Sequence, residues 1–106
     1  MAKYLFQGSY TEQGLKGLLK EGGSGRVKAV EQMFKGLGGK LEVYYWAYGS
    51  DDFFIVADLP DSVSAIAASL IVNAAGAVKV RTTVLITPEE LDRASKVTVN
   101  YRPPGQ

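Results

Sequence analysis

Between a Gly-Ser-Asp-Asp turn and Pro60 the chain runs Phe53-Phe54-Ile55-Val56-Ala57 without a polar residue. A strand that faces water on one side alternates apolar and polar residues, whereas a continuous apolar run of this length reads as a strand buried on both faces. The preceding arm, Lys40 to Tyr48, is crowded with Tyr44, Tyr45, Trp46 and Tyr48. A hairpin built this way needs cover on both sides. The sequence has 106 residues, a single-domain length with one core, so the cover must come from few elements.

The remaining segments supply them. Residues 3–10, KYLFQGSY, read as a strand. Thr11 is an N-cap candidate with Glu12 in the first turn, and Leu15, Leu18 and Leu19 follow at helical spacing. Gly22-Gly23-Ser24-Gly25 breaks that helix, and a second is expected to start near Arg26, with Val27, Val30, Phe34 and Leu37 on one side. After the hairpin, Val63, Ile66, Ala67, Leu70, Ile71 and Ala74 form an apolar stripe, expected to face the core with Leu70 at its centre. Residues 77–86 alternate as a strand, and Thr87-Pro88-Glu89-Glu90 opens a short helix before the tail, residues 97–106. The order βαββαβ is that of an α+β, ferredoxin-like antiparallel sheet with both long helices on one face.

Helices on one face leave the other uncovered. The alternation expects Tyr44, Trp46 and Tyr48 to share that open face with Lys79, Arg81 and Thr83. Two occupants could cover it: a second copy of the chain, sheet to sheet, or an apolar ligand held between copies. Tyr44, Trp46, Tyr48, Lys79 and Arg81 are therefore the candidate ligand-binding residues, and equally the candidate interface. The expected partner is a second copy, as a homodimer or a larger oligomer of dimers, with a small-molecule ligand possible in addition.

Composition narrows the chemistry. The chain has no histidine and no cysteine, which removes thiol nucleophiles, His-dependent triads and the usual zinc, haem and copper ligands. No metal site and no cofactor are expected. A net charge of +1 gives no basic excess for nucleic acid or for an anionic membrane surface. Residues 66–80 are too short and too interrupted to cross a bilayer. With no signal peptide in the opening residues, a cytoplasmic protein is expected. Asp51 and Asp52 could serve as acid and base or as oxygen ligands, but neighbours on a strand point apart, and Gly49-Ser50-Asp51 reads first as the hairpin turn. Ser24, Gly25 and Arg26, at the start of the second helix, form a candidate anion site; the alternative is a plain break in a long helix.

The segments SYTEQGLKGLLKEGGSGR (9–26), LGGKLEVYYWAYGSDD (37–52), VADLPD (56–61), NAAGAVKVRTTVLITPEELD (73–92) and the YRPPG ending resemble the GYD-domain family, small bacterial proteins related to the dimeric α+β barrel group. The namesake Gly-x-Tyr-Asp falls at Gly49-Ser50-Asp51-Asp52, with Asp51 standing where the tyrosine usually is. The resemblance implies a single domain over residues 1–106 that pairs into a dimeric barrel. It carries no biochemical activity with it. The expected function is dimeric binding of a small molecule. The alternatives are a cofactor-independent oxygenase or isomerase acting on an aromatic or enolisable substrate, and a structural or regulatory oligomer without ligand.

Overall fold

The computed structural model describes residues 1–106. Its elements are β1 (Ala2–Tyr10), α1 (Glu12–Glu21), α2 (Gly23–Gly36), β2 (Lys40–Trp46), β3 (Phe53–Leu59), α3 (Ser62–Ala74), β4 (Val78–Leu85) and α4 (Pro88–Ser95). The four strands form one antiparallel sheet in the order β2-β3-β1-β4. This is the ferredoxin-like arrangement expected from the element order, with β1 and β3 central. No helix is long and apolar enough to cross a membrane.

Local chemistry sets the element ends. The Thr11 side chain accepts a hydrogen bond from the Gly14 amide and caps α1. Asp61 does the same for α3 through the Ser64 amide at 2.8 Å, and this bond holds its carboxyl below the usual range. Thr87 and Glu90 form a reciprocal capping box at the start of α4. The break between the first two helices is narrower than the glycine run implies. Gly22 alone leaves the helix, at φ +84°, a conformation that glycine adopts without a Cβ penalty. Gly23, Ser24 and Gly25 already belong to the first turn of α2, so that helix starts three residues before Arg26.

The core lies between sheet and helices. Tyr4 and Phe6 of β1 and Phe53, Ile55, Ala57 and Leu59 of β3 meet Phe34 of α2 and Ala65 and Ala68 of α3. Phe6 and Phe34 contact ring to ring at 5.3 Å. The residues between them on β3, Phe54, Val56 and Asp58, are only half-buried on the other face. The apolar run is thus covered fully on one side and partly on the other.

Helix α3 departs from expectation. Its buried residues are Ala65 and Ala68, while Val63, Ile66, Leu70 and Ile71 are exposed, Leu70 by 64%. The alanine side lets the helix approach the sheet closely, where Ser69 hydrogen-bonds Thr82 and the Asn73 amide pairs with both backbone groups of Val80. Asn73 therefore caps part of the β4 edge rather than its own helix. The tail, residues 97–106, forms no strand.

Candidate functional site

Pairing registers sort every sheet residue onto a face, because directly opposed residues share one. On the helix side the rows run Val84–Tyr4–Ala57–Leu41, Thr82–Phe6–Ile55–Tyr44 and Val80–Gly8–Phe53–Trp46. On the open side they run Thr83–Leu5–Val56–Val43 and Arg81–Gln7–Phe54–Tyr45. The candidate residues are thus split. Tyr44 and Trp46 face the helices, whereas Lys79 and Arg81 belong to β4's open side, and Tyr48 lies in the hairpin loop, fully exposed. The reason is a bulge in β2 between Leu41 and Val43. Its extra residue, Glu42, reverses the parity expected from Leu41 onward.

Arg81 is occupied on the open side, its guanidinium bonding both oxygens of Asp51 at 2.7 and 3.3 Å. Asp52 turns the other way and accepts from the Tyr10 amide at 3.0 Å, tying the hairpin loop to the end of β1. The two neighbouring aspartates do not converge on one site. Lys3 joins Glu42 at 2.5 Å and Asp58 at 3.0 Å on the same open side, and these two carboxylates raise its pKa.

The helix side holds a cavity of about 760 Å³. It opens because α2 packs over β2 and α3 over β4, leaving a gap above the two central strands. Phe6, Phe53 and Ile55 form its floor, Val30 and Met33 of α2 one wall, and Val72 of α3 with Val78 and Val80 of β4 the other. Leu18 and the flat side of α1 at Gly14 and Gly17 contribute further.

One end is polar. Tyr10, Tyr44, Glu21 and Arg26 all line the cavity. Burial, and then the neighbouring Tyr10 phenol, push the Tyr44 phenol well above its ordinary pKa, so it stays neutral. Trp46 stacks on Tyr44 with ring centroids 4.4 Å apart and donates from Nε1 to the Tyr10 hydroxyl at 2.8 Å. Arg26 Nε lies 3.4 Å from Glu21 Oε1, yet it is shut off from solvent and makes no hydrogen bond. An acceptor placed closer and in line at this end of the cavity would complete the donor that Glu21 pairs only loosely.

Of the candidate anion residues, only Arg26 reaches this site. Ser24 is exposed on the first turn of α2, and Gly25 has no side chain to offer. Sequence reasoning missed Tyr10 and Glu21. Tyr10 was recoverable, since it shares the parity of Tyr4 and Phe6 along β1. Glu21 carries no such signal, because its position depends on the sharp turn at Gly22.

No curated protein and no solved structure matches the chain. The GYD domain family model matches residues 4–95, a span that takes in all of the sheet but the first two residues of β1, the cavity and the Gly49–Asp52 loop: the chain belongs to the GYD-domain family.

Proposed function

We propose that the protein binds a small amphiphilic molecule in the cavity between sheet and helices, and does so as a homodimer paired through the open sheet face. The observation that carries the binding reading is Arg26 Nε, shut off from solvent and ion-paired with Glu21 without a hydrogen bond, at the polar end of a mostly apolar cavity. A volume of about 760 Å³ lies within the range of small-molecule sites, roughly 300–1,000 Å³. An apolar body would occupy the space over Phe53 and Ile55. A carboxylate, phenolate or other acceptor would meet Arg26, with the neutral Tyr44 phenol as a second donor. Binding is favoured over proton-abstraction chemistry because Glu21 is the one carboxylate lining the cavity, and it already faces Arg26.

The dimer reading rests on the opposite face. Leu5, Val43, Phe54 and Val56 form an apolar strip across three strands, rimmed by Lys3, Lys79, Arg81 and Asp58. An apolar centre with a polar rim is the anatomy of a protein interface, and a two-fold contact would complete the cover that β3 requires.

Native mass spectrometry of freshly purified protein tests both parts, reporting subunit count and retained mass together. Titration with anilinonaphthalene sulfonate, which has an apolar body and an anionic end, tests the site directly. Saturable binding that changes Trp46 emission, and that Arg26→Leu weakens about tenfold (~1.4 kcal/mol), is expected. Saturable binding unaffected by Arg26→Leu would move the ligand elsewhere. No retained molecule and no saturable binding would leave the structural-oligomer reading in its place.

A further inference from the structure

Residues 87–106 take no part in the core or in the cavity lining. No residue of α4 is buried, and every residue of the tail is exposed. The hydrogen bonds made by this segment stay within it. The molecule is correspondingly long, 57 × 32 × 23 Å, with a radius of gyration of 16.9 Å, where a compact domain of this size has about 13 Å.

The segment is not built for solvent. Leu91, Val97, Val99 and Tyr101 are 56–75% exposed, and the last three alternate with Thr98, Asn100 and Arg102 as on a strand with one apolar side. A second apolar surface lies uncovered on the shoulder formed by α3 and the outer edge of β4. Val63, Ile66 and Leu70 project outward from α3, and Val84 and Ile86 lie at the end of β4. Each surface has what the other lacks. They do not meet within the chain, because Pro88 and the Thr87–Glu90 capping box fix the start of α4 directly after Ile86 and set the arm's exit.

The area is also informative. A compact monomer of 11.4 kDa exposes about 5,800 Å², so about 1,800 Å² of the 7,598 Å² found here is surplus. Across two chains that is about 3,600 Å², inside the range of roughly 2,000–5,000 Å² buried in obligate homodimers.

We infer that residues 87–106 form an exchange arm, whose apolar side packs on the α3–β4 shoulder of a second copy of this chain. The exchange extends the dimer reading but is separable from it, since the shoulder and the open sheet face are different surfaces. An arm held this way is a clasp: it ties the copies together through their outer edges and covers aliphatic surface that a lone chain leaves in water.

The absence of cysteine makes the test clean. Val99→Cys and Ile66→Cys, both at exposed positions, are prepared as separately tagged full-length chains, mixed through a dissociating step and treated with a short bis-maleimide. A cross-linked species of doubled mass carrying both tags is expected, with neither variant alone giving it in comparable yield. A double variant that cross-links only within one chain would overturn the inference, as would the absence of any arm-to-α3 cross-link. Amide exchange of wild-type protein gives a second readout: the amides of residues 97–101 should be protected at micromolar concentration and lose that protection on dilution. Solvent-like exchange there at all concentrations would equally overturn it. If the arm cross-links while Val56→Asp leaves the mass unchanged, the sheet-face pairing fails and the arm stands.

Discussion

Trp46 donates its indole N–H to the Tyr10 hydroxyl at 2.8 Å, joining the last residue of β2 to the last residue of β1 across β3. The bond places the single tryptophan against Tyr10 and Tyr44, two residues that line the cavity. Tyr10 also packs on Phe53, ring centroids 5.4 Å apart. Tyr10→Phe keeps that packing and removes the hydroxyl, both Trp46's acceptor and Tyr44's neighbour. The expected cost is ~0.5–1.5 kcal/mol, at the lower end because Trp46 is 37% exposed and its N–H can turn to water. A denaturant melt followed by Trp46 emission reads both the cost and the change in indole environment.

Two glycines on α1 should behave in opposite ways. A Cβ on Gly14 would collide with the backbone carbonyl of Ala77, which cannot swing aside like a side chain. Gly14→Ala should therefore cost ~1–3 kcal/mol or more. Gly17, one turn on, has nothing within 4 Å of its added Cβ. Gly17→Ala should stabilise the protein by up to ~1 kcal/mol through helix propensity. Thermal melts of the two variants side by side check the contrast, and equal effects would show that α1 does not sit on the start of β4.

The sheet order was legible because apolar and polar residues change period sharply at Thr11, Pro60 and Thr87, each next to a cap or a breaker. The site was less legible for two physical reasons. A bulge leaves no compositional mark at Glu42, yet it decides which face Tyr44 and Trp46 occupy. The apolar stripe of α3 is real, but the smaller side of that helix faces the sheet. Periodicity locates a stripe and does not say what covers it. Arg26 was singled out for its place at a helix start, whereas its standing in the site comes from a buried side-chain nitrogen, which no local pattern shows.

That distinction can be measured on two large residues. Phe34 is 1% exposed and contacts Phe6, so Phe34→Ala should cost ~3–5 kcal/mol. Leu70 is 64% exposed within the chain. Leu70→Ala should cost less than ~0.5 kcal/mol when the protein is dilute enough to be monomeric. Under conditions where copies associate, the same substitution should cost more, since the α3 shoulder is then covered. Denaturant midpoints at two protein concentrations separate the cases. A large cost for Leu70→Ala in the monomer would place the stripe in the core after all.

Alkaline pH should weaken the fold through Tyr44. Its phenol is held well above its ordinary value of 10.0, first by burial and then by the Tyr10 phenol. Between the unfolded and folded values the unfolded chain has released the proton while the folded chain retains it. Folding stability must then fall as pH rises. Tyr44's contribution is fully present below about pH 10 and declines above it. Lys3, whose pKa is also raised by its carboxylate partners, adds a decline of the same sign, so the total slope does not isolate Tyr44. The comparison that does is Tyr44→Phe, which keeps the ring against Trp46 and removes the titrating group. Melting temperatures of wild type and variant measured from pH 8 to pH 11 should converge or cross as pH rises, with the variant losing less. Parallel curves would mean that Tyr44 ionises in the folded protein as readily as in the unfolded chain, and that the polar end of the cavity is open to water.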